Sequence, residues 1–319
     1  MRTAIHIFQR TEGHVVLFYT KSDLLCFYTI LSICAKKTGI KVLAVAEMYD
    51  HIHILVEAAS RGEVKAFVQM YSSLYAQEHN RDSGLSGKVF ESPFGTSLKR
   101  GDKEIRTCAG YIYNNHTNKK LCSRAEDIRW NFLAYAHSSN PFSAPIKRAI
   151  ASKKMRAAIA IVDSEHKASH PLNHPTLRRL FTGLSKLESE QLTDYIIDTY
   201  RFIDYNSVES LYRSYDEMLY SFNANTFNDY DINEEHRDRR GDDTVFREMA
   251  KYISSLKIYR NLKEILTTPE NRKIGLATEL KVMTRATWRQ IGAYLHIKLG
   301  SSEQEHIDGS PAGSDFVLA

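Results

Sequence analysis

Cysteine is scarce in this 319-residue chain: Cys26, Cys34, Cys108 and Cys122 lie far apart, with no CxxC pair among them. Such spacing excludes a disulfide framework and a zinc ribbon, and it reads as reduced thiols in a cytosolic protein. No stretch approaches the roughly 18 consecutive apolar residues that a membrane span needs. The opening MRTAIHIFQRTEGH meets polar residues too early for a signal-peptide core, so a cytoplasmic protein without a membrane partner is expected. Charge of one sign is nearly balanced too. A net +5 with a pI near 8.8 permits a nucleic-acid partner without demanding one.

What is present is ordinary globular composition, 43% hydrophobic and 25% charged, which excludes a mainly disordered chain. Thr3–Gln9 alternates as a strand, and Val15–Tyr19 is a second short extended run. Ser22 or Asp23 can cap a helix to Lys37, which Gly39 stops. Lys41–Glu47 and His51–Glu57 read as a hairpin. From Gly62 to His79 apolar residues recur at spacings of three and four, as on a helix. Strand signals follow near Lys88–Phe90 and Thr96–Lys99. Asp102 or Lys103 then opens a helix that carries Tyr111 and ends near Asn115. Hairpin-linked strands with helices between them imply an α+β fold, an antiparallel sheet with packed helices.

Around Ser138–Pro145 the composition becomes linker-like, which predicts a first domain over 1–140 and a second over 145–299. The second reads as all-helical, with segments at Ile146–Asp163, Pro175–Leu184, Glu188–Asp204, Val208–Leu219 and Thr244–Leu266. Thr226–Asp243 reads as a polar loop and 300–319 as a disordered tail. Residues 278–296 resemble a helix-turn-helix, with Arg289 and Gln290 facing a groove. Bundle packing with Trp288, Ile291 and Leu295 as core fits equally well.

Two features can carry chemistry. On a strand, alternate side chains share a face, so His51 and His53 form a two-imidazole clamp for a metal. In a chain with 13 histidines an HxH arises by chance often enough to be weak alone. On a helix, Tyr111 and Asn115 are neighbours at i and i+4. The asparagine carbonyl adds a hard oxygen to two imidazoles, a mixed set suited to Mg²⁺ or Mn²⁺. Tyr111 then stands beside the ion for in-line attack on a phosphodiester. Most of the 18 tyrosines must be packing or surface residues. The nearest rival, Tyr113, points roughly 200° round the helix and has only Thr117 at i+4.

The two features sit inside a longer pattern. VLAVAEMYDHIHILVE resembles the strand and HxH segment of REP-associated tyrosine transposases and their IS200-like relatives, members of the HUH class. AIHIFQR is similar to the family's first strand, with His6 and Arg10 in place of its His and Arg. DLLCFYTILSICAKKTGIKV resembles its first helix and next strand, and GKVFESPF its Gly-x-hydrophobic-Phe-Gln segment. GYIYNNHTNK is similar to its nucleophile helix and RWNFLAY to its closing Trp stretch. The likeness covers residues 3 to about 137. It implies a ferredoxin/RRM-like HUH nuclease fold, Tyr111 as nucleophile, and His51, His53 and Asn115 as metal ligands. It also implies cleavage of single-stranded DNA near hairpins with a 5′-phosphotyrosine intermediate and a free 3′-OH. The chain departs from the family at Tyr49-Asp50, where Pro-Asn is usual, at Glu91 and Pro93, and at His116 in place of proline.

Lys99, Arg100, Lys103 and Arg106 lead into the tyrosine helix, and Lys119 and Lys120 follow it, where phosphates need neutralising. Tyr113, Phe90 and Phe94 are aromatic candidates for base stacking. The expected protein is a transposase at the nucleoid, a monomer or homodimer acting on single-stranded or hairpin DNA. The alternative is a host-adopted regulator that binds hairpins without cutting. A replication or conjugation nuclease would normally bring a helicase, and no P-loop is present.

Overall fold

The computed structural model describes residues 3–224 and 242–299. Four strands, β1 (Thr3–Arg10), β2 (Lys41–Glu47), β3 (His51–Glu57) and β4 (Gly95–Arg100), form one antiparallel sheet in the order β2-β3-β1-β4. Val15–Tyr19, expected to be extended, pairs with no strand. Its backbone is bound instead by Tyr49 and Ala293, through Leu17 N–H to the Tyr49 carbonyl (2.7 Å) and Val16 N–H to that of Ala293 (3.0 Å). Near Lys88–Phe90 only one bridge forms, between Thr11 and Phe90.

Helices α1 (Lys21–Thr38) and α2 (Arg61–Ser83) cover one face of the sheet. Their Leu25, Phe27, Phe67 and Tyr71 pack on Ile7, Val45, Ile52 and Ile54. The cap of α1 is Thr20 rather than Ser22 or Asp23. Thr20 and Asp23 make a reciprocal box in which each side chain accepts from the other's backbone N–H, and Gly39 ends the helix at φ 70°. Helix α3 (Gly101–Asn118) covers the other face, packing Ile105, Cys108, Ala109 and Ile112 on Ala4, Ala44, Ala46 and Leu55.

Beyond residue 140 every described regular element is helical: α4 (Lys153–Lys167), α5 (His174–Phe181), α6 (Lys186–Thr199), α7 (Tyr205–Glu209), α8 (Tyr215–Ala224), α9 (Thr244–Ser255), α10 (Glu270–Met283) and α11 (Trp288–Leu295), with a 3-10 turn at Leu262–Thr267. Residues 146–152 lie outside the helix expected from Ile146, because Ser152 caps α4. The segment from Val208 to Leu219 is broken between α7 and α8. Most of the polar loop Thr226–Asp243 and all of the tail 300–319 lie outside the described residues.

The core runs across residues 138–145. Met155, Ile159, Leu172 and Ile196 join the α1 side of the sheet, and the Asp204 N–H donates to the Val42 carbonyl at 2.8 Å. Helices α9 to α11 share a separate cluster that takes in Val16, Tyr19 and Tyr49. Lys263, in the 3-10 turn, is buried between Asp23 of α1 (2.8 Å) and Asp82 of α2 (2.7 Å), with His174 2.9 Å from Asp23. Asp23, Asp82 and His174 are close enough to suggest a metal trio. The Lys263 ammonium already lies against both carboxylates, so the trio reads as an ion network tying helices together.

Candidate active site

The alternation of β1, β3 and β4 sets the composition of the face beneath α3. The register pairs Arg10 with His51, Phe8 with His53 and His6 with Leu55; on the other side Gly95 faces Phe8 and Ser97 faces His6. Because side chains alternate, these residues form parallel rows on one surface. The two histidines of the HxH therefore lie beside β1 residues that are distant in sequence.

Each imidazole is held at one nitrogen. His51 Nδ1 lies 2.6 Å from Asp50 Oδ1, and His53 Nδ1 lies 3.0 Å from His6 Nε2. Burial alone would raise the Asp50 carboxyl, but the His51 ring beside it and Arg10 hold it below the ordinary value. Burial pushes His53 well below its ordinary value, helped by His51, His6 and Arg10, so its ring stays neutral. A neutral imidazole is the form that ligates a metal.

Helix α3 brings Tyr111 over this face. Its ring is 5.4 Å from that of His53 and 6.0 Å from that of His6, edge-on to both. Tyr113, two residues on, turns into the core: its hydroxyl donates to the Leu43 carbonyl at 3.3 Å and its ring packs on Phe222. Burial raises that phenol well above its ordinary value. One turn beyond Tyr111, Asn115 is buried, and its amide Nδ2 has no hydrogen-bond partner. An orphaned buried amide costs about 1–3 kcal/mol unless something fills its place. Nitrogen and oxygen of an amide exchange by a flip, so the orphaned position suits a carbonyl oxygen ligand as well as a donor. Two imidazoles and this amide fit a Mg²⁺ or Mn²⁺ site.

His116, the substitute for proline, does not join them. Its Nε2 binds the Glu47 carbonyl at 3.0 Å, and burial, partly offset by that bond, pushes its ring down to about 3. Among the described residues, His116 forms no trio with His51 and His53 whose ligand atoms lie within 4.8 Å of one another.

The basic residues divide by exposure. Arg100, Lys103, Arg106 and Lys120 are exposed, Lys119 is intermediate, and Lys99 is buried with its ammonium on Ser97 Oγ at 2.7 Å. Arg106 also donates to the Leu211 carbonyl, and Lys120 sits 3.5 Å from Asp242. Of the aromatic candidates, Phe90 and Tyr113 are core residues, leaving Phe94 half-buried. Sequence reasoning missed Phe8, a half-buried ring in the row beside His53. Its only signal was its even spacing from His6. Gln290, offered as a groove-facing residue, spends its side chain on capping Thr287 and on the Asp242 carbonyl, whereas Arg289 is exposed.

Comparison with known proteins gives two findings. Residues 2–115 match the sequence model of the family described as "Transposase IS200 like". A solved REP-associated tyrosine transposase bound to a REP hairpin is similar at 12% identity, covering 40% of this chain and 74% of that one, with a TM-score of 0.32. No curated protein matches the chain.

Proposed function

We propose that the chain is a metal-dependent single-strand DNA endonuclease and strand transferase with Tyr111 as its nucleophile, a reading supported by the match of residues 2–115 to the IS200-like transposase model. The observation that carries this reading is the Tyr111 ring 5.4 Å from the ring of His53, above the face that holds both HxH imidazoles. His51, His53 and Asn115 are the residues to hold Mg²⁺ or Mn²⁺. When bound, the ion polarises the scissile phosphate and offsets the charge that develops on it.

The chain's own residues do the rest. Tyr111 Oη forms a bond to phosphorus as the bond from phosphorus to the 3′ oxygen breaks, leaving a 5′-phosphotyrosine and a 3′-OH. A later attack by a 3′-OH reverses the step and frees the tyrosine, so joining needs no ATP. Arg10, in the row beside His51, and the exposed Arg100 and Lys103 are the cations proposed to contact backbone phosphates. Phe8 offers a ring for an unpaired base. The substrate is single-stranded DNA near a hairpin, met at the nucleoid. Helices α10 and α11, joined by the short turn 284–287, are proposed to add a second DNA contact through Arg289.

The test is a gel assay for covalent adduct. Wild type, Tyr111→Phe and Tyr113→Phe are incubated with hairpin-bearing single-stranded oligonucleotides and Mg²⁺ or Mn²⁺. A metal-requiring DNA-linked band lost only in Tyr111→Phe supports the reading. Tight hairpin binding with no adduct from any variant overturns it in favour of a non-cleaving regulator.

A further inference from the structure

His6 is a third histidine at the site. It lies on β1, 47 residues from His53, fully buried on the α3 face among Ala4 and Leu55. A buried imidazole in such apolar company is costly unless its nitrogens are used. Its Nε2 meets His53 Nδ1 at 3.0 Å, and the two rings stack with centroids 5.1 Å apart and planes at 27°. Its ring also stands edge-on to Tyr111 (6.0 Å) and tilted against Phe8 (6.1 Å).

We propose that His6 is a positioning residue for the metal centre, selecting the tautomer and orientation in which His53 presents Nε2 to the ion. This rests on the reading of His51, His53 and Asn115 as ligands. A neutral imidazole has one N–H and one lone pair. If His53 Nδ1 carries the proton and donates to His6 Nε2, then His53 Nε2 keeps its lone pair and can ligate. If the proton runs the other way, from His6 Nε2 to His53 Nδ1, then His53 carries its own proton on Nε2 and cannot. Metal binding therefore requires His6 as the Nδ1–H tautomer.

His51 needs no such partner on β1. Asp50 Oδ1, an acceptor only, already sits 2.6 Å from its Nδ1 and fixes the proton there. The two ligands are thus held by different means, one by a carboxylate and one by a second imidazole. His6 is not itself a ligand: its Nε2 is taken by His53. Among the described residues it also makes no trio with His51 and His53 whose ligand atoms lie within 4.8 Å of one another. Groups that hold a ligand's outer nitrogen typically change metal affinity by about 10–100-fold when removed.

The experiment measures Mn²⁺ binding to the metal-free full chain by titration calorimetry, for wild type, His51→Ala, His6→Leu and His6→Gln. Gln can place an acceptor oxygen near the position of Nε2, whereas Leu cannot. Wild-type binding that His51→Ala abolishes establishes the metal site on which the inference depends. His6→Leu should then weaken Mn²⁺ by about 10–100-fold, His6→Gln should recover most of the loss, and metal-free binding of single-stranded DNA should not move. Equal Mn²⁺ affinity in His6→Leu and wild type overturns the role of His6 while leaving the metal site intact. A Gln variant no better than a folded Leu variant does the same. Absence of Mn²⁺ binding by wild type removes the metal reading and this inference with it. Should His6→Leu not fold, nitrogen-15 spectra of the wild-type histidine rings with Mg²⁺ decide. His53 protonated at Nδ1 supports the proposal, and His53 protonated at Nε2 overturns it.

Discussion

Tyr111 and Tyr113 occupy the same helix two residues apart, yet one ring stands edge-on to His53 at 5.4 Å and the other donates its hydroxyl to the Leu43 carbonyl at 3.3 Å. The helical turn alone separates a residue at the site from a residue in the core. Tyr113→Phe is accordingly expected to cost about 1 kcal/mol of stability and to leave adduct formation in place. Urea unfolding and the adduct gel measure the two effects separately. Loss of adduct in a stable Tyr113→Phe protein would exchange the roles given to the two tyrosines.

Gly95 sits opposite Phe8, and a Cβ at this glycine would meet the Phe8 ring at 1.9 Å. Only glycine lets the ring lie flat across β4 beside His6 and His53. Gly95→Ala should push Phe8 outward, which its half-buried position allows, at about 1–3 kcal/mol. Adduct formation and single-strand binding should both fall. Unchanged binding would show that the position of Phe8 does not matter to DNA.

Lys263 is buried against two carboxylates, so Lys263→Met would strip Asp23 and Asp82 of the ammonium they share, leaving His174 and Arg178 as their remaining partners. A loss of about 3–5 kcal/mol is expected, read by urea unfolding at pH 7. Burial tends to raise both carboxyls, but Lys263 and His174, with Arg178 at Asp82, outweigh it and hold both low. A depressed carboxyl contributes stability above its unfolded value and loses it as pH falls toward the folded value. Wild type should therefore lose this contribution below about pH 4, and the Lys263→Met curve should be flatter there. Parallel curves would mean that the lysine is not what keeps the two carboxyls ionised.

Glu47 behaves in the opposite sense. Both its carboxylate oxygens are buried without a partner, and burial holds its carboxyl well above the ordinary range. The folded chain keeps this proton where the unfolded chain has released it, so stability falls as pH rises from about 4.5 toward the folded value. Glu47→Gln removes that loss. Its stability advantage over wild type should be absent near pH 4 and grow towards pH 7. A constant difference across that range would show that Glu47 does not titrate abnormally.

Lys103 is exposed on the first turn of α3. Lys103→Ala should weaken single-strand binding and lower the slope of log affinity against log salt by about 0.7, the value of one phosphate contact. Affinity measured at three salt concentrations suffices. Weaker binding at an unchanged slope would place the effect in packing rather than charge.

Several parts of this molecule were legible in the sequence because they depend on local periodicity. Alternation puts His51 and His53 on one face of a strand wherever that strand is packed, and a helical repeat puts Asn115 one turn from Tyr111. The αL position of Gly39 and the order of strands and helices through residue 118 follow from equally local rules. Ends of elements were less legible. Thr20 rather than Ser22 caps α1, because the reciprocal bond with Asp23 favours that register.

Only the tertiary structure decided who stands beside whom. Strand pairing brings His6 to His53 and Phe8 to Gly95, and no spacing in the chain encodes which residues a β1–β3 or β1–β4 register aligns. Packing also turned Phe90 and Tyr113 inward, spent Gln290 on a cap, and placed Lys263 between Asp23 and Asp82, 181 residues from the latter. The residue types at the site follow from short-range geometry within each element. Their orientation and protonation follow from neighbours that only folding supplies.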